Sequence, residues 1–78
     1  MHYSIPEFGI EVEVNDKGTG IITSNLHAVE DEGEDEYNAA CDGLESLILG
    51  HACAGLDISA PAYVTGIRTA VEAIANHF

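Results

Sequence analysis

Six carboxylates stand almost side by side in this chain. They are Glu30, Asp31, Glu32, Glu34, Asp35 and Glu36, interrupted only by Gly33. Such a run could hold a cation, move protons, or present charge to a basic partner. Each chemistry demands a different pattern around it.

Cation binding needs ligands in a fixed register. An EF-hand loop follows D-x-[DN]-x-[DN]-G-x5-E, with its glycine five residues after the first aspartate. Here Gly33 comes two residues after Asp31, so the register fails. His2, His27, His51 and His77 are scattered, and His51-Ala52-Cys53 has no second motif to complete a zinc set. No metal site and no cofactor is expected.

Proton transfer needs a carboxyl whose environment shifts its pKa. Adjacent exposed acids supply nothing of that kind. Cys41 and His51 lie on one expected helix, ten residues or roughly 15 Å apart, too far to act together. There is no glycine-rich phosphate loop and no nucleophile elbow. The reading is a non-enzyme, with no catalytic residues.

Charge display remains. Only Lys17 and Arg68 oppose fourteen acids, and the formal net charge is −12. A chain needing only solubility would mix signs and interleave lysines as helical partners of its acids. Direct nucleic-acid binding needs cations to displace counterions, and so does an anionic membrane. The complementary partner is a basic surface. Carboxylates along a rigid element imitate the phosphate spacing of a nucleic acid, so a groove built for DNA or RNA would accept them. Asp42 and Glu45, three residues apart on the expected helix exterior, extend the surface beyond Asp35 and Glu36.

The elements that must position these acids follow from periodicity. Residues 8–15, FGIEVEVN, alternate apolar and polar, the mark of a half-buried strand. Asn15-Asp16-Lys17-Gly18 supplies turn chemistry. Residues 21–29 read as the returning strand, with Ile22, Ser24, Leu26 and Ala28 inward, so a β-hairpin spans 8–29. Glu11 and Glu13 either guard one edge of it, or that edge pairs with a second copy to make a homodimer.

After the acidic segment, 30–36, the period changes. Tyr37, Cys41, Leu44, Ile48, His51 and Gly55 form one helical stripe within helix 1, residues 34–55. Val64, Ile67, Val71 and Ile74 form a second within helix 2, residues 59–77, and Phe78 continues its spacing. Asp57 or Ser59 caps that helix and Pro61 suits its first turn. Gly43, Gly50, Ala52, Gly66 and Ala70 are expected to let the helices approach closely. His51 is read as a core-edge residue bonded to a backbone carbonyl, and Tyr37 as a core residue. The whole is one α+β domain: an N-terminal antiparallel β-hairpin packed on a C-terminal antiparallel two-helix hairpin.

At 78 residues such a domain buries only about 60% of its unfolded surface, so its core is small. Cys41 and Cys53 fit a pair of small buried thiols in a reducing compartment. No stretch reads as a signal peptide, and no apolar run approaches the roughly 20 residues of a membrane span. A cytoplasmic setting is expected.

The stretch EYNAACDGLESLILGHACAGLDISAPAYVTGIRTAVEAIAN, residues 36–76, resembles the helix–loop–helix of small bacteriophage proteins. With the acidic run and the short chain, it is similar in style to phage-encoded inhibitors of bacterial defence, above all anti-CRISPR proteins. The resemblance implies a non-enzymatic inhibitor in the infected bacterial cytoplasm, blocking a nucleic-acid-binding host complex by acidic mimicry. Three other readings stand beside it, one of them a metal-dependent module that calcium titration would decide. Another is an oligomeric sponge for a signalling nucleotide, with copies of Arg68 brought together by symmetry. The third is a structural or assembly protein of a phage particle.

Overall fold

The computed structural model describes residues 1–27 and 35–77. The fold is α+β: a three-stranded antiparallel sheet followed by two helices. Strand β1 is His2–Ile5, β2 is Ile10–Val14 and β3 is Gly20–Thr23. Helix α1 is Asp35–Cys53 and α2 is Pro61–His77.

The sheet has one strand more than the expected hairpin. β1 pairs antiparallel with β2, placing Ile5 opposite Ile10 and Tyr3 opposite Val12. The N-terminal ammonium donates to the Val14 carbonyl at 2.6 Å, and the Val14 amide to the Met1 carbonyl at 2.8 Å, extending this ladder. β2 therefore becomes the central strand, in the order β1-β2-β3. This corrects the expected role of Glu11 and Glu13: they stand on the middle strand's outer face and guard no edge.

Two turns fold the sheet. Between β1 and β2, a 3-10 turn at Pro6–Phe8 ends on Gly9, whose φ is +64°. A Cβ there would also meet the side-chain carboxamide of Asn25. Glycine is thus required by the sign of φ, and the exposed Asn25 side chain would also have to turn away. Between β2 and β3, the Asn15 carboxamide oxygen accepts from the amides of Lys17 and Thr19, at 2.9 and 3.2 Å. That is the side-chain turn chemistry the Asn-Asp-Lys-Gly sequence offered.

One face of the sheet builds the core. Ile5, Ile10 and Val12 are buried from the strands, Leu26 from the following loop, and Cys41, Leu44, Ile48 and Ala52 from α1. Ile67 joins from α2, and Tyr37, Val64, Val71 and Ile74 pack around them. Ile58 is fully buried as well, although it lies in the connector between the helices, where no period marks it. Burying an isoleucine side chain is worth roughly 1.5–3 kcal/mol, so this one residue fixes the connector against the sheet–helix core.

The connector begins with a Schellman motif. The Leu56 amide donates to the His51 carbonyl and the Gly55 amide to the Ala52 carbonyl, both at 3.0 Å, with Gly55 at φ +95°. Asp57 then accepts from the amide and hydroxyl of Ser59, at 3.1 and 2.6 Å, shaping the turn into Pro61.

Three small residues are placed differently from expectation. Gly43, Gly50 and Gly66 are exposed, and a Cβ at any of them would meet nothing within 4 Å. They do not mediate close helix approach; Ala52, buried, and Ala70, packed on the core, lie at the apolar side instead. The helices are joined by other contacts. His51 Nδ1 and the Tyr63 hydroxyl lie 2.7 Å apart, with the rings edge to face. The partner of His51 is thus a side chain of α2 and not the expected backbone carbonyl. Arg68 clamps α2 to the first turn of the chain through two bonds to the Glu7 carboxylate, at 2.6 and 2.8 Å.

Candidate functional site

Of the acids that define the expected surface, Glu30, Asp31, Glu32 and Glu34 lie outside the described residues, as does inward-assigned Ala28. Asp35 and Glu36 open α1, both exposed. There they complement the unpaired N–H groups and positive dipole end of the first turn. Asp42 stands seven residues after Asp35, two turns on, which puts both on one helical face roughly 10 Å apart along the axis. Its side chain is 70% exposed.

Glu45 departs from expectation. Only 15% of its side chain is exposed. It points along the flank of α1 that meets the loop after β3, because the Ser24 hydroxyl donates to its Oε2 at 2.6 Å. The acidic face of α1 among the described residues is therefore Asp35, Glu36 and Asp42, with Glu45 turned into the structure.

That loop is held to α1 at three successive places. Ser24 bonds Glu45. The Leu26 carbonyl accepts from the Cys41 thiol at 3.4 Å. His27 Nε2 lies 2.5 Å from Asp42 Oδ1 and 3.5 Å from Glu45 Oε1. The Leu26 amide donates to Ser24 Oγ at 3.3 Å and shapes the loop itself. His27, docked on α1, thus stands shortly before the acidic run, and the last two acids of that run, Asp35 and Glu36, open α1.

His27, Asp42 and Glu45 form a cluster absent from the expected site. One donor atom of each lies within 4.8 Å of the others. Asp42 and Glu45 were legible as a helical i,i+3 pair, but His27 comes from a different element 15 residues earlier. No spacing rule links it to them. The signal available was chemical only: a histidine shortly before an acid-rich helix start.

The remaining charges are distributed on other faces. Glu11 and Glu13 project from the outer face of the sheet, opposite the core, flanking exposed Ile21. His2 Nε2 is 3.4 Å from Glu11 Oε1. Of the two cations, Arg68 is engaged by Glu7, and each partner perturbs the other. The hydrogen-bonded Arg68 guanidinium lowers the Glu7 carboxyl below its usual range, and Glu7 raises the Arg68 pKa. Lys17 sits exposed at the β2–β3 turn.

Burial pushes the Cys41 thiol up, against a smaller downward pull from a hydrogen bond with Tyr37; the charges of Glu45 and Asp42 add to the rise. A neutral buried thiol is a packing group and not a nucleophile. Burial also raises the Tyr63 hydroxyl.

No protein-family model matches this chain, and no curated protein or solved structure matches it either.

Proposed function

We propose that this chain is a phage-type inhibitor that docks its acidic surface on a basic nucleic-acid-binding complex of the bacterial host and blocks access of the nucleic acid. The observation that carries the reading is that, among the described residues, no Lys or Arg pairs with the exposed acids of α1. Asp35, Glu36 and Asp42 line one end of α1, the run from Glu30 to Glu34 leads into them, and Arg68 is spent on Glu7. Glu45 contributes by fixing the loop and not by direct contact. The host-defence setting comes from the resemblance of residues 36–76 and the acidic run to phage inhibitors. Charge complementarity of this kind accelerates association and weakens with salt.

The pairing of Arg68 with Glu7 weighs against a nucleotide sponge. Phosphates would have to compete with a two-bond carboxylate contact before Arg68 could serve them.

The test is capture of partners from bacterial lysate on the tagged chain, washed at low and then high salt and identified by mass spectrometry. A nucleic-acid-binding complex held at low salt and shed at high salt is the expected outcome. The companion variant changes Glu30, Glu32, Glu34 and Glu36 to Gln, lowering the net charge from −12 to −8. Association of the captured complex with this variant should slow at least tenfold at low salt. Undiminished capture and inhibition by the variant would refute acidic mimicry.

A further inference from the structure

We propose that His27, Asp42 and Glu45 bind one divalent transition-metal ion, with zinc the ion their chemistry fits. Two carboxylates alone would be a charged patch. An imidazole nitrogen lying against both of them makes a ligand set. One nitrogen and two carboxylate oxygens are donors that zinc takes readily, with a fourth position left for water.

A side-chain rotation separates this geometry from a bound state. Zinc bonds of about 2.0–2.1 Å in a tetrahedron separate neighbouring donors by roughly 3.3–3.4 Å. His27 Nε2 and Glu45 Oε1 already stand 3.5 Å apart. The His27–Asp42 contact, at 2.5 Å, has to open, and Asp42, 70% exposed, has room to turn. The other two ligands are held more firmly. Glu45 is largely covered, and its second oxygen accepts from Ser24, the outer hydrogen bond that orients a ligating carboxylate. Ser24 is in turn fixed by the Leu26 amide. The half-buried imidazole of His27 follows directly in the same loop.

The ligands join the loop after β3 to the third turn of α1. An ion there would add a coordinate cross-link shortly before the acidic run. It would also place positive charge beside Asp42 without any added lysine. The site shares Asp42 with the proposed docking face, but its readouts, binding and ligand spectroscopy, are separate from inhibition, so either reading can fail alone.

The experiment is calorimetric titration of the intact chain with zinc chloride in a large excess of magnesium. Magnesium prefers octahedral oxygen sites and occupies the loose acidic surface. One saturable equivalent of zinc is expected, with the His27 Nε2 resonance shifted in long-range 15N spectra. Asp42→Asn, on the exposed side, keeps the fold testable and should weaken binding at least tenfold. His27→Gln should abolish it, and Ser24→Ala should weaken it about 10–100-fold through the lost outer hydrogen bond. His2→Gln and the four-Gln variant of the acidic run should leave it unchanged. No saturable isotherm, or one that His27→Gln and Asp42→Asn leave intact, overturns the proposal.

Discussion

Replacing Gly43, Gly50 and Gly66 together by Ala should make this protein substantially more stable. All three occupy helix interiors and are exposed, and a Cβ at each meets open space. None has a positive φ, since among described glycines only Gly9, Gly18 and Gly55 do. Nothing in the folded state therefore opposes the methyl group. In such positions Gly is less favourable than Ala by about 0.5–1 kcal/mol, because the unfolded chain loses more freedom. Gly43 and Gly50 are two turns apart on α1 and Gly66 is on α2, so the effects should add. Three substitutions then contribute roughly 1.5–3 kcal/mol. A domain of this size has an unfolding entropy near 0.16 kcal/mol per kelvin, so Tm should rise by roughly 9–18 °C. Calorimetry and urea unfolding of the wild type, the single variants and the triple variant measure it. The urea m-value should not change, since the buried surface is the same. A lowered Tm in any single variant would show that the glycine packs against something, and the account of the helix faces would be wrong at that position.

Ile48 is wholly buried at the centre of the α1 stripe, and Ile48→Ala should destabilise by about 2–5 kcal/mol in denaturant unfolding. Leu47→Ala, next in sequence but 52% exposed, should stay within about 0.5 kcal/mol of wild type. The Glu7–Arg68 pair should leave a signature in acid. Arg68 lowers the folded Glu7 carboxyl below its ordinary value of 4.5, so the stabilisation is present above that value and is lost as pH falls through the lower folded one. Comparing Tm against pH, Glu7→Gln should remove part of the wild-type fall below pH 4.5, and an unchanged curve would show that the pair contributes nothing. With iodoacetamide under native conditions, partly exposed Cys53 should alkylate well before buried Cys41, as peptide mass spectrometry would reveal.

Neighbouring residues carry what was readable without the fold. Alternation put Ile10 and Val12 on the inward side of β2, and steps of three and four put Cys41, Leu44 and Ile48 on one face of α1. Both patterns are local consequences of backbone geometry. Gly55 ended α1 for an equally local reason, the sign of φ. The excess of acid over base is composition, and no fold alters it.

The tertiary structure decided everything that depends on distant segments meeting. β1 is four residues long, too short to show a period, and it exists because β2 offers a ladder to pair with. Ile58 is core because the connector crosses the sheet–helix interface. Arg68 finds Glu7 across 61 residues. Glu45 and Asp42 look alike on a helical wheel, yet Ser24 and His27 dock beside α1, cover one and leave the other largely in solvent. The candidate metal cluster has the same origin. Its histidine and its carboxylates belong to separate elements, and only their packing brings the nitrogen between the two acids.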